Sequence, residues 1–205
     1  MKKTQKKENA PALNWKQNVV LYLHDLLYMM LFVIAAFLIA FRIIVVSGSS
    51  MYNTLLDGDY ILLLSNVFYH DPQYGDIVVA SKESFDDGKP IIKRVIATEG
   101  QMVDIDFAQG IVYVDGVALQ EDYTYTPTNV EEGMQFPLIV DNGCVFLMGD
   151  NRNGSQDSRS TQIGLVDKRE LLGKALFLML PGTDPGALSP DYSRVGGIAC
   201  RNRKR

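Results

Sequence analysis

"MVDIDFAQGIVYVDGVAL", residues 102–119, decides what kind of fold this chain can have. Its two halves alternate, the period at which strand side chains take opposite faces of a sheet. Ala108-Gln109-Gly110 falls between the halves and reads as a hairpin turn. Runs of the same kind lie on both sides: "DYILLL" from Asp59, "GDIVVAS" from Gly75, "IIKRVIAT" from Ile91, "CVFLMGD" from Cys144 and "KALFLML" from Lys174. Gly, Asp, Asn and Pro separate them. The expectation is a mainly β domain over residues 47–184, an antiparallel sandwich or barrel-like arrangement. One short helix is expected around Asp167 to Leu172. Glu121 to Gln135 shows no regular pattern and reads as a surface loop, and residues 185–205 have the composition of a flexible tail.

The 205 residues are 47% hydrophobic and 21% charged, with a net charge of −4, which suits one globular domain plus an appendage. The mild acidity argues against a nucleic-acid partner. Cys144 and Cys200 are too few for a disulfide framework, and neither stands in a C-x-x-C or Cys/His cluster, so no metal site is expected. Cys144 reads as a small buried apolar residue.

The appendage is N-terminal. Leu26 to Phe41 form an uninterrupted apolar run that resumes after Arg42 as Ile43 to Val46. Together they reach the roughly 20 residues a helix needs to cross a hydrocarbon core of about 30 Å. Trp15 to Asp25 are mixed and can continue the helix on the cytoplasmic side. Lys2, Lys3, Lys6, Lys7 and Lys16 face one acid, Glu8, so that flank is expected in the cytoplasm and the β domain outside. A cleaved secretory signal is the alternative, but the core is long for one and no clear A-x-A site follows. The organisation read is a basic tail at 1–16, an anchor at 17–46 with its core at about 26–46, the domain at 47–184 and the tail at 185–205.

Three segments can carry chemistry. "SGSSMYNTL", residues 47–55, follows the anchor and reads either as a linker or as a turn presenting Ser50. A serine hydroxyl needs a positioned base. His24 lies on the cytoplasmic side of the anchor and His70 sits in a polar turn, so a Ser-His-Asp triad is disfavoured. Lys93 is the other available base. Strand alternation puts it on one face with Ile91, Val95 and Ala97, where desolvation favours the neutral amine. Lowering a lysine from about 10.4 to near 7 costs roughly 4.6 kcal/mol, within what burial can impose. Taken alone, the same lysine reads as a surface charge on an edge strand. "MGDNRNGSQDSR", residues 148–159, is a turn-rich loop in which Asp157 and Arg159 can pair and Ser155 can meet a neighbouring amine; by composition it is a polar loop and nothing more.

In this order, behind such an anchor, the segments resemble those of type I signal peptidases, the membrane-bound Ser-Lys proteases that remove signal peptides. "SGSSMYNTL", "YGDIVV" with "IIKRVIATEG", "MGDNRNGSQDSR" and "GLVDKRELLGKALFLMLP" carry the resemblance as far as Pro181. The form is the compact, single-anchor bacterial one. The resemblance implies Ser50 as nucleophile and Lys93 as general base, with Met51 packed beneath the site and Ser155 hydrogen-bonded to the amine. It further implies an Asp157–Arg159 pair, a loop shaped by Gly149, Asp150, Asn151 and Arg152, and an oxyanion hole that includes the Ser50 N–H. Gly48 stands where some members have a serine, leaving a second oxyanion donor to Ser49 or a backbone group, and Asn53 stands where a proline is common. Expected partners are signal-peptide-bearing preproteins and the lipid bilayer of the plasma membrane. No cofactor is expected, and the working unit is a monomer. The substrate is expected to lie extended against a strand edge, with shallow pockets for small side chains. With the anchor ending at Val46, Ser50 would work at most about 14 Å beyond it. The rival reading is an inactive membrane-anchored β domain that only binds or scaffolds.

Overall fold

The computed structural model describes residues 14–198. Lys2, Lys3, Lys6, Lys7, Glu8, Cys200 and Arg201 to Arg205 therefore lie outside the described residues.

Helix α1 spans Trp15–Ala40. Its stretch Asn18–Ala40, 23 residues, is long and apolar enough to cross a membrane by length and composition. The expected end at Val46 is not where the helix stops. Phe41–Val45 form strand β1, paired antiparallel with β2 (Tyr60–Ser65). Ile43, Ile44, Val45 and Val46 are β-branched, stiff at χ1, and fit a pleated surface better than a helix. A partner strand decides between two readings that an apolar run leaves open. Ser50 thus lies ten positions beyond Ala40, where the helix ends, rather than four beyond Val46.

The other strands are β3 (Ile77–Ala80), β4 (Ile91–Thr98), β5 (Met102–Asp106), β6 (Ile111–Val114), β7 (Val117–Ala118), β8 (Leu138–Ile139), β9 (Cys144–Met148), β10 (Val166–Asp167), β11 (Leu171–Leu180) and β12 (Gly196–Gly197). The larger sheet runs β1-β2-β11-β3-β4-β9-β10, with β12 beside β11, and the smaller runs β7-β6-β5-β8. Every ladder is antiparallel. The hairpin read from residues 102–119 is β5–β6, with Val103 opposite Val114 and Asp106 opposite Ile111. Ile96 and Ala97 of β4, Val103 and Ile105 of β5, Val112 of β6 and Phe146 of β9 share one apolar core where the sheets meet.

β4 is central, flanked by β3 and β9, so the edge-strand reading of Lys93 does not hold. Ile91 and Val95 pack into one cluster and Ile92 into another, as alternation requires. A bulge between Val95 and Ala97 then ends the alternation, and Ile96 and Ala97 enter the same core. The short helix expected near Asp167 is a single 3-10 turn, Lys168–Glu170, closed by a reciprocal cap between Asp167 and Glu170.

The flexible tail expected from residue 185 is, as far as Ile198, part of the fold. β12 pairs with β11, Ile198 is buried, and Arg194 forms a buried ion pair with Asp59. Burial of one arginine and one isoleucine is what orders a stretch whose composition is that of a loop.

Candidate active site

Ser50 sits in a tight turn rather than a linker. Tyr52 N–H donates to the Ser49 carbonyl at 3.0 Å, and Thr54 and Leu55 N–H donate to the Met51 carbonyl, each at 2.9 Å. Met51 is 1% exposed and packs with Val46, Leu55 and Ile61, so the residue after the serine pins the turn to the core. The Tyr52–Asn53 peptide bond is cis. Gly48 has φ +89°, the left-handed region where a side chain is strained, and its N–H donates to Asp57 Oδ1 at 2.8 Å. The Ser50 N–H has no partner among the described residues, which leaves it free for an oxyanion.

Lys93, 3% exposed, reaches across from β4, and its Nζ donates to Ser50 Oγ at 2.8 Å. Burial lowers its pKa from the ordinary lysine value to about 8, against the opposing pull of Asp157, Glu132 and Asp150.

The loop 148–159 joins these two residues. Asn151 N–H donates to the Ser50 carbonyl at 3.0 Å and its Nδ2 to the Ser49 carbonyl at 3.1 Å. Asp150, fully buried, accepts from Arg94 Nε at 2.8 Å and Nη2 at 2.6 Å, and also from Thr54 Oγ1. One carboxylate therefore ties the strand of Lys93 to the turn of Ser50. Asp157 and Arg159 pair in the interior: Arg159 Nε donates to Oδ1 at 2.8 Å and Nη2 to Oδ2 at 2.9 Å. Asp157 Oδ2 also accepts from Gly149 N–H at 2.9 Å. A Cβ on Gly149 would overlap both Ser155 Oγ and the Ser50 carbonyl oxygen, so only glycine lets the loop lie this close to the turn.

The hydrogen bond expected between Ser155 and the lysine amine is not formed. Ser155 Oγ is buried against Gly149 with no partner among the described residues, while the amine is turned to Ser50.

Glu121 to Gln135 is irregular, as read, but it is no mere surface loop. Arg152 donates to both Glu121 oxygens and, at 2.9 Å, to Thr128 Oγ1. Arg159 pairs with Glu132 at 3.1 Å, and the Arg94 guanidinium lies 3.9 Å from the Tyr123 ring centre. Arg94, Glu121, Tyr123 and Glu132 were missed in the sequence. The charge count of "DNRNGSQDSR" gave no signal, since its two arginines are matched by two aspartates; the need for Glu121 arises because Asp150 is taken by Arg94.

Beside Ser50 and Lys93 opens a cleft of about 440 Å³. Ile44 and Val45 of the edge strand β1 and Val46 just after it line it, with Leu63, Val79, Ile91, Ile92 and Leu172, while Arg42, Asp86 and Lys89 supply its charge. His70 is exposed and makes no side-chain hydrogen bond among the described residues.

The chain is similar in sequence to known proteins. Probable signal peptidase I-1 of Synechocystis sp. is 40% identical over 152 residues, covering 70% of this chain and 73% of its own length. Signal peptidase I T of Bacillus subtilis is 30% identical over 187 residues, covering 87% and 91%. A solved signal peptidase I from Enterococcus faecalis V583 is 30% identical, with a TM-score of 0.41 over 51% of this chain and 96% of that one. The family described as signal peptidase, peptidase S26, matches residues 19–180, and the chain belongs to that family.

Proposed function

We propose that this protein is a membrane-anchored serine endopeptidase that removes signal peptides from exported preproteins, with Ser50 as nucleophile and Lys93 as general base. The observation that carries the reading is the 2.8 Å contact between Lys93 Nζ and Ser50 Oγ, with the lysine buried and the pair opening onto an apolar cleft.

In the neutral amine the contact reverses: Ser50 Oγ–H donates to the Nζ lone pair. Oγ attacks the scissile carbonyl carbon as its proton passes to Nζ. The Ser50 N–H faces the oxyanion that develops. Collapse breaks the C–N bond, and the leaving amine takes the proton from Nζ. A water then gives a proton to Nζ and attacks the ester, and Ser50 recovers its proton as the acid product leaves. An amine with pKa about 8 is neutral in a useful minority of molecules near neutrality. Asp157 and Arg159 hold the loop, with Gly149, Asp150, Asn151 and Arg152 shaping it against the turn. Ser155, whose buried hydroxyl has no partner among the described residues, is the group proposed to orient the amine.

β1 offers an edge strand beside the cleft, which suits an extended substrate. The basic N-terminal flank favours a cytoplasmic N-terminus and an external catalytic domain. One chain holds both reacting groups, so a single copy suffices. Ser50→Ala and Lys93→Ala should each abolish preprotein processing while the circular-dichroism spectrum stays folded. Cleavage retained in both variants would refute the assignment.

A further inference from the structure

The family match ends at residue 180, yet the chain goes on to dock beneath the serine turn. We propose that residues 182–198 are a strap that positions the nucleophile, with Arg194 as its positioning residue. The inference rests on Ser50 being the nucleophile.

Several contacts run from the strap to the turn, among them an N–H of Arg194 donated to the Thr54 carbonyl at 3.4 Å. The first is a buried carboxylate. Asp59, with no exposure, accepts from Arg194 Nη1 at 2.9 Å and Nη2 at 2.6 Å, from Gly182 N–H at 2.7 Å and from Leu56 N–H at 2.8 Å. It thereby closes the turn on itself and grips the strap at both ends. The fork of a guanidinium matches the carboxylate in a way a point charge does not. The second contact is Tyr52, two residues from the nucleophile, whose hydroxyl donates to Asp184 Oδ1 at 3.1 Å. The third is apolar: Ile198 is buried in the same cluster as Met51 and Leu55. Gly182 lies flush with the turn, and a Cβ there would overlap the Asp57 carbonyl. That turn carries Asp57, which holds the Gly48 N–H.

Arg194 is itself held. Asp191 accepts from Ser193 N–H at 3.0 Å at the start of the 3-10 turn Tyr192–Arg194, and β12 follows that turn after Val195 and pairs with β11. The strap thus runs from the end of β11 under the nucleophile and back to β11. Catalysis between Ser50 and Lys93 depends on a short fixed approach, and a misplacement of about 1 Å costs on the order of a hundredfold in rate.

The test uses the full chain in detergent with Arg194→Met, Arg194→Lys and Tyr52→Phe, measuring kcat and KM for a preprotein and hydrogen exchange by peptide. Arg194→Met should lower kcat at least tenfold with KM within about twofold, and Arg194→Lys should recover part of it. Exchange should quicken at least tenfold across residues 49–55 and by clearly less across β4. Unchanged kcat and unchanged exchange at 49–55 overturn the proposal. So does a fall in kcat accompanied by equal loosening of β4, which is a general loss of stability. Should Arg194→Met fail to fold, Tyr52→Phe keeps the ring and removes the hydroxyl that bonds Asp184, and a kcat equal to wild type then overturns the strap. If the wild type cleaves no preprotein, the functional reading fails, and local loosening at 49–55 still supports the strap.

Discussion

Ser50 and Lys93 stand 2.8 Å apart and are held by opposite means. Lys93 is on a strand with ladder partners on both sides, Val78 in β3 on one flank and the β9 register beside Arg94 and Val95 on the other. Its place is set by backbone hydrogen bonds, which almost any sequence can make. Ser50 is on an irregular turn with no ladder, and its place is set by side chains from distant parts of the chain: Asn151, Asp150 through Thr54, and Arg194 through Asp59. The placement of Lys93, the proposed base, is therefore robust to substitution around it, and that of Ser50, the proposed nucleophile, is vulnerable at residues far from it in sequence.

The largest effect is expected where the two supports meet. Arg94→Leu leaves Asp150 charged, fully buried and without its guanidinium, which should cost about 3–5 kcal/mol in a urea melt. Adding Asp150→Leu should return most of that stability but not the activity, because Thr54 still loses its partner. A double variant as unstable as the single would show that the pair contributes more than charge balance.

Gly149→Ala comes next. Its methyl group must displace Ser155 or the Ser50 carbonyl, at about 1–3 kcal/mol, and the turn, not β4, should move. Hydrogen exchange that quickens first in β4 would reverse the comparison.

The base can be probed by pH. With its pKa lowered to about 8, Lys93 is charged below that value and neutral above it, so kcat/KM should rise with pH and level off beyond about 8. The rate at pH 7 should be about a tenth of the plateau, by ordinary titration of one group. The stability effect has the same sign. The folded chain sheds this proton at about 8 and the unfolded chain only near 10.5, so stability rises as pH climbs between those values. Lys93→Met should accordingly be more stable than wild type at pH 7, with the advantage shrinking toward pH 10; equal melts at both would argue against a buried charge. The smallest effect belongs to the exposed Lys168–Glu99 pair, where Lys168→Ala should change stability by less than about 1 kcal/mol and leave kcat alone.

The same division explains what could be read in the sequence. Strands announce themselves by alternation and bounding turns, so the hairpin at residues 102–119 and the strand of Lys93 were legible. Ser50 and Lys93 stood out as candidates, a serine without a usable histidine and a lysine on an apolar strand. Taken alone, however, the lysine read as a surface charge, and only the order of all the segments together pointed to the pair. The end of the anchor was not, because Ile43 to Val46 are apolar in a helix and in a strand alike, and only the pairing with β2 decides. The partners of Arg152 and Arg194, and Glu132 as the second partner of Arg159, were invisible for a different reason. Glu121 is 31 residues from Arg152 and Asp59 is 135 from Arg194, and no periodicity links such pairs. The segment after Pro181 looked like a tail because its turn-forming composition outweighs one arginine and one isoleucine.

The neighbour of the base is an arginine, and that order has a consequence for error. Lys93 and Arg94 point to opposite sides of β4, the amine to Ser50 and the guanidinium to Asp150. A slip of one residue in strand register would exchange them. The serine would then face a group that does not give up its proton, and the lysine would face a carboxylate that keeps it charged. A misfolded copy of this protease is thus born inert, and the membrane it sits in is spared a mis-aimed enzyme by the simple adjacency of two basic residues.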